Sequence, residues 1–194
     1  MARSRHAIPV GVSVRHFHIT KAHWEILFGK GVEPTHHRGI LQPGFWAAKE
    51  VVDIQGPKGT ITKVRLVAPY RDKTQVEISR TDAAKLGIEA PVRGSGQLKG
   101  AVAIRLIGPK GAVDVADAAI IAQRHVHFSP AEAKKVGVAD GELVRVRAGA
   151  GGPRELLFEN VLVRVSDKYA LEFHIDTDEA NAAWLKSGDR VHLV

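Results

Sequence analysis

The sequence predicts a mainly β protein with short capping helices, built on an internal repeat. Three observations carry this reading. Short apolar stretches alternate with polar residues at period 2, as half-buried strands do. Gly-Pro-Lys-Gly occurs twice, at 56–59 and 108–111, each time between such stretches, where it marks a tight turn. Four segments share one plan: an apolar strand, a ligand-type side chain, one residue, a Ser, Thr or Asp cap, a short Ala-containing helix, and then Gly. They are His18-x-Thr20, Glu77-x-Ser79, His127-x-Ser129 and His174-x-Asp176.

Taken in order, residues 7–14 alternate apolar and small residues and read as a strand, and Arg15-His16-Phe17-His18 follows at once. Thr20 opens a helix over Lys21 to Phe28 that Gly29 stops. Residues 30–44 hold three Gly, two Pro and a His-His step, which is loop chemistry. Strand, turn and strand run from Trp46 to Val67. After Pro69 to Thr74, the stretch Gln75 to Arg80 leads to a helix capped by Ser79 or Thr81 and stopped by Gly87. A Gly-rich loop at 94–100 precedes a strand over Val102 to Ile107, the second Gly-Pro-Lys-Gly turn and a strand to about Val115. Arg124-His125-Val126-His127 is the near-copy of 15–18. Ser129-Pro130 starts a helix that ends at Gly137, with Pro at the first helical position. A strand over Glu142 to Arg147, strands at about 154–165 and 170–175, a helix from Thr177 to Leu185 and a last strand from Arg190 complete the chain.

At 194 residues the chain is long enough for one large domain or two small ones, each with its own core. Apolar content of 44% and charged content of 25% are those of a globular protein. No apolar run approaches a membrane span, and Met1 to His6 is too short and basic for a signal peptide. The absence of Cys excludes disulfides, thiolate metal sites and acyl-cysteine intermediates. A net charge of +7 favours anionic partners or simply solubility.

In an extended strand, residues i and i+2 point to the same face. Each His-x-His pair therefore presents two imidazoles side by side, a natural chelate for a transition metal. Glu77 and His174 stand at equivalent places in the repeat, so the candidate ligands are His16, His18, Glu77, His125, His127 and His174. Six ligands suit two metals with three protein ligands each, which leaves an open position of the catalytic kind. A lone His or Glu before a helix more often caps it or bonds to backbone; the repeat is what raises these six. His6, His23, His36, His37 and His192 lack a repeat partner and read as surface or loop residues.

The runs Ile8 to His18, Thr74 to Asp82, Ile121 to His127 and Glu172 to Asn181 resemble the PduL-type phosphate propanoyltransferases, and the resemblance covers about residues 8–184. It implies transfer of a short acyl group, propionyl or acetyl, between coenzyme A and inorganic phosphate. It implies two β-barrel domains, one over 15–122 and one over 123–194 joined by the N-terminal strand 5–14, with two zinc ions between them. The six residues above would be the ligands, with other divalent transition metals able to replace zinc. Arg71 would bind phosphate as the catalytic arginine, and Ser13, Arg65, His174 and Asn181 would contact coenzyme A. The implied setting is propanediol degradation, in the cytoplasm or in the lumen of a bacterial microcompartment. Members inside such compartments usually carry an N-terminal amphipathic extension, whereas only Met1 to Ala7 precede the first strand here. The resemblance also implies a homo-oligomer and association with a microcompartment as partners.

Without Cys, direct attack of bound phosphate on the thioester is the favoured chemistry. Arg15, Arg80 and Arg124 lie beside the ligand motifs, either to orient substrate or to form salt bridges that support the ligands. Two other functions compete. A hydrolase of the same architecture would use water in place of phosphate. A basic nucleic-acid-binding barrel would need aromatic platforms, and only 6% of residues are aromatic, so neither nucleic acid nor membrane is an expected partner.

Overall fold

A strand with one apolar face must bury it against its neighbours, and short strands do so best by closing on one another. The computed structural model describes residues 6–194, so the first residue of the expected N-terminal strand, and all but the last of Met1 to His6, lie outside the described residues. In chain order the elements are β1 (Ala7–Ser13), β2 (His16–His18), α1 (Lys21–Phe28), β3 (His36–Gly39), β4 (Trp46–Gln55), β5 (Thr60–Ala68), β6 (Gln75–Glu77), α2 (Arg80–Leu86) and β7 (Val92–Arg93). Then come β8 (Val102–Ile107), β9 (Ala112–Ala122), β10 (His125–Phe128), α3 (Pro130–Val136), β11 (Leu143–Ala148), β12 (Leu156–Val165), β13 (Glu172–Asp176), α4 (Thr177–Ala183) and β14 (Arg190–Leu193). The fold is mostly β with four short helices, as the sequence predicts.

The chain divides into two compact units. One comprises Val14–Ile40 and Gly44–Ala122; the other takes β1, Leu41–Pro43 and Gln123–Val194. In the first unit the pairings β4–β5, β5–β2, β2–β6, β6–β9, β9–β8 and β8–β4 close a six-stranded ring, with β3 and β7 attached. Its core holds Phe17, Trp24, Leu27, Ile54, Leu66 and Leu106, all fully buried. In the second unit a closed barrel runs β1-β13-β10-β12-β11-β14 around Ile8, Phe128, Val163, Phe173 and Leu193. Each such side chain contributes roughly 1.5–3 kcal/mol by burial.

The repeated strand-to-helix junctions are real. Thr20, Ser79, Ser129 and Asp176 are the four N-caps, and the last three form capping boxes with Asp82, Glu132 and Glu179. Such caps satisfy orphan N–H groups and fix where the helix begins, directly after each candidate ligand. The fourth copy departs from the plan. Its helix ends at Ala183, two residues before the expected end, because Trp184 takes a left-handed conformation (φ +59°) where the second and third copies place Gly.

The two Gly-Pro-Lys-Gly turns dock on helix ends in the first unit. Lys58 N–H donates to the Leu86 carbonyl at 3.0 Å, and Lys110 N–H to the Leu27 carbonyl at 3.0 Å. Gly56 and Gly108 lie against those same carbonyls, with no space for a side chain. Two expectations are corrected. The stretch 30–44 is not all loop: β3 pairs with β4, but its residues are all exposed and so show no apolar alternation. The strand expected to end near Val115 continues to Ala122, through the buried run Ala118-Ala119-Ile120.

Candidate metal centres

In β2, Phe17 enters the core, so His16 and His18 share the opposite face. Antiparallel pairing with β6 sets His16 across from Glu77 and His18 across from Gln75. The donor atoms of His16, His18 and Glu77 lie within 4.8 Å of one another. Nε2 of His16 is 3.6 Å from Glu77 Oε2, and Nε2 of His18 is 3.8 Å from Oε1. Each ring is turned by its other nitrogen. Nδ1 of His16 lies 2.9 Å from the Val14 carbonyl, and Nδ1 of His18 lies 2.9 Å from that of Val67. A carbonyl accepts only from N–H, so Nδ1 carries a proton in both rings and Nε2 is the nitrogen turned toward Glu77, the one free to ligate a metal. Burial above all, then the nearby His16 and Arg71 charges, lowers the His18 pKa to about 3, so the ring is neutral.

Glu77 is itself held. It accepts from Gln75 Nε2 at 2.5 Å and from Ser95 Oγ at 2.8 Å. Gln75 also donates to Ser95 Oγ (2.9 Å) and accepts from Gly96 N–H (2.8 Å). Arg71 Nη1 donates to the same Ser95 Oγ at 3.2 Å, and its guanidinium lies 5.5 Å from the Phe45 ring centre. A fixed cation is therefore linked, through one hydroxyl, to a carboxylate of the triad.

The second triad repeats the construction in the other unit. Antiparallel β10 and β13 place His125 across from His174 and His127 across from Glu172. The donors of His125, His127 and His174 again lie within 4.8 Å. Nδ1 of His125 lies 2.8 Å from the Gln123 carbonyl, two residues back, as His16 does with Val14. His127 stacks on Tyr169 (3.9 Å between ring centres), and both its ring nitrogens are buried without a hydrogen-bond partner. Burial first, then the nearby His125, His174 and Arg164 charges, lowers its pKa to about 2. A buried, neutral imidazole with an unpartnered nitrogen, beside two more imidazoles, is an environment that a divalent metal would complete at one ring nitrogen of each. Both donor sets thus fit a zinc-like ion with three protein ligands and a position left over.

The structure therefore gathers His16, His18 and Glu77 in one unit and His125, His127 and His174 in the other. Arg71 and Arg65 belong to the first unit; Arg65 Nη1 donates to the Ala48 and Lys49 carbonyls at 2.6 and 2.9 Å. Ser13 and Asn181 belong to the second: Ser13 ends β1 opposite Asp176, and Asn181 is exposed on α4. Of the arginines beside the motifs, Arg15 pairs with Asp82 at 2.8 Å and Arg124 with Glu179 at 2.7 Å. Both acids are the third residue of the helix after a ligand, so these arginines anchor the junctions. Sequence reasoning missed Ser95, Gln75, Gln42, Glu172 and Tyr169. Ser95 had a signal, a Gly-rich loop with no assigned role; Gln42, whose partner is 130 residues away, had none.

The family profile for phosphate propanoyltransferase matches residues 9–186. The chain belongs to the phosphate propanoyltransferase family. It is 50% identical over 194 residues to the phosphate propanoyltransferase of Thermotoga maritima, covering all of this chain and 92% of that one. It is 49% identical over 176 residues to that of Salmonella typhimurium, covering 91% and 83%. With that of Rhodopseudomonas palustris it shares 44% over 186 residues, covering 96% and 81%. Phosphate propanoyltransferases are acyltransferases, and their activity implies acyl-coenzyme A and phosphate as substrates.

Proposed function

We propose that this phosphate acyltransferase moves propionyl or acetyl between coenzyme A and inorganic phosphate, with a divalent metal, zinc in the first instance, on each histidine triad. The observation that carries the reading is the Arg71–Ser95–Glu77 chain, which ties a phosphate-type cation to a metal-ligand carboxylate. When bound, the metals would supply Lewis-acid polarisation and charge neutralisation.

The chain's own residues supply the rest. Arg71 offers a planar fork of N–H donors suited to two phosphate oxygens. Ser95 accepts from one arm of that fork and so aims it. A phosphate oxygen attacks the thioester carbonyl, the C–O bond forms, the C–S bond breaks, and coenzyme A leaves as thiolate. No cysteine is available for an acyl-enzyme, in keeping with direct transfer within one ternary complex.

Arg71→Ala is expected to lower turnover by about 10²–10³-fold, the usual cost of one electrostatic contact to the reacting group. Metal content is expected to stay at two per chain. Near-normal phosphate-dependent turnover would remove Arg71 from this role. Product analysis with propionyl- and acetyl-coenzyme A decides the reaction class: acyl phosphate supports the proposal, and free acid alone would make the protein a hydrolase. Propionyl and acetyl differ by one methylene, worth only about 1–3 kcal/mol in a fitted pocket, so a chain-length series is needed to rank them.

A further inference from the structure

The two triads differ in charge. Glu77 gives the first a carboxylate, whereas the second consists of three imidazoles. The repeat shows where the second carboxylate lies. His16 faces Glu77 as His125 faces His174; His18 faces Gln75 as His127 faces Glu172. The residue two before the third ligand is thus a neutral amide in one copy and a carboxylate in the other.

Glu172 is fixed from three sides. Its Oε2 lies 2.9 Å from His174 Nε2, an ion-pair contact without the alignment of a full hydrogen bond. Gln42 Nε2 donates to that same Oε2 at 2.9 Å. Gln42 is locked in turn, donating to the Ala170 carbonyl (3.0 Å) and accepting from Ala170 N–H (3.2 Å), and it is 5% exposed. The third side is Gly11 on β1, which pairs with His174. A side chain there would meet Glu172 Oε1 at 2.6 Å, so the strand is bare where the carboxylate lies.

We propose that Glu172 is the carboxylate of the second centre, orienting His174 and supplying the negative charge that Glu77 supplies to the first. It is a positioning residue, because it acts through His174. A divalent cation on three neutral imidazoles would carry its full charge into a buried site; one carboxylate per centre halves it, equally in both units. A carboxylate paired with a ligating histidine also fixes the ring and raises its basicity. The Gln42 clamp keeps that carboxylate from swinging away.

This inference rests on the reading that both triads bind metal, and wild-type stoichiometry tests that reading separately. The experiment is chelator-competition zinc titration of purified protein, with circular dichroism to confirm folding. Wild type is expected to bind two zinc ions per chain. Glu172→Gln keeps shape and removes charge; one site is expected to weaken by about 10–100-fold, the usual cost of losing such a partner, while the other is unchanged. Glu172→Asp is expected to recover part of the loss. Gln42→Ala, which leaves every charge in place, is expected to weaken the same site less. If folded Glu172→Gln binds both ions with wild-type affinity, or weakens both equally, the assignment is overturned. If Glu172→Gln does not fold, Gln42→Ala decides: unchanged affinity at both sites overturns it.

Discussion

The two triads are built on one plan, yet among the described residues only the second holds a histidine with neither buried ring nitrogen hydrogen-bonded. In the first, both histidines give Nδ1–H to backbone carbonyls, and Glu77 accepts from Gln75 and Ser95. In the second, His125 is anchored the same way, but His127 has an aromatic neighbour in place of a hydrogen-bond partner. The backbone repeat therefore dictates where the candidate ligands stand, and the local side chains dictate how much each proposed centre would depend on an ion. A histidine held by carbonyls keeps its orientation alone. One stacked on Tyr169 keeps its plane but leaves two buried nitrogens uncompensated.

That difference sets the largest expected effect. If the triads bind metal as proposed, stripping it should destabilise the second unit more than the first, because the His127 nitrogen it releases is buried without a partner, at a cost on the order of 1–3 kcal/mol. Hydrogen exchange on chelated protein should show β10 and β13 losing protection before β2 and β6. Loss in the reverse order, or all at once, would show that the asymmetry has no energetic weight. A smaller effect sharpens the contrast from the other side. Ser95 links Arg71 to Glu77 and has no counterpart near the second triad among the described hydrogen bonds. Ser95→Ala should raise the KM for phosphate by roughly tenfold, one hydrogen bond to a charged group, while the KM for acyl-coenzyme A holds. An equal rise in both constants would mean a general disturbance of the site.

The smallest effect concerns the departure in the fourth repeat. A left-handed non-glycine residue costs about 1–2 kcal/mol, and Trp184 is also 75% exposed, so packing does not offset the strain. Trp184→Gly should raise the melting temperature by about 2–4 °C for each kcal/mol recovered in a chain of this size. A fall would mean that the indole makes a stabilising contact outweighing its backbone.

Much of this was legible in the sequence because it is periodic or local. The His-x-His pairs lie on one face by strand geometry alone, and the N-caps follow from Ser, Thr or Asp placed before an Ala-containing run. Glu77 and His174 were reachable because the repeat makes them equivalent. What escaped was non-local or depended on a dihedral angle. Nothing near Gln42 signals that its amide closes on Glu172, since that contact exists only once the barrel has formed. Exposed β3 hides because nothing on it alternates. Trp184 hides because its left-handed angle follows from how the helix ends, not from the residue's preference.

The docked Gly-Pro-Lys-Gly turns have a practical consequence. Hairpin tips are ordinarily where a protein accepts an inserted tag, a loop graft or new termini. Here both tips are seated under helices that begin just after His18 and Glu77, with glycine against the last carbonyls of each helix. Lengthening either turn would lift it from the helix end that it closes. Anyone engineering this scaffold would do better to open the chain at 150–152, which is exposed throughout, and to leave Gly149 and Arg154, which lie on the last carbonyls of α4, in place.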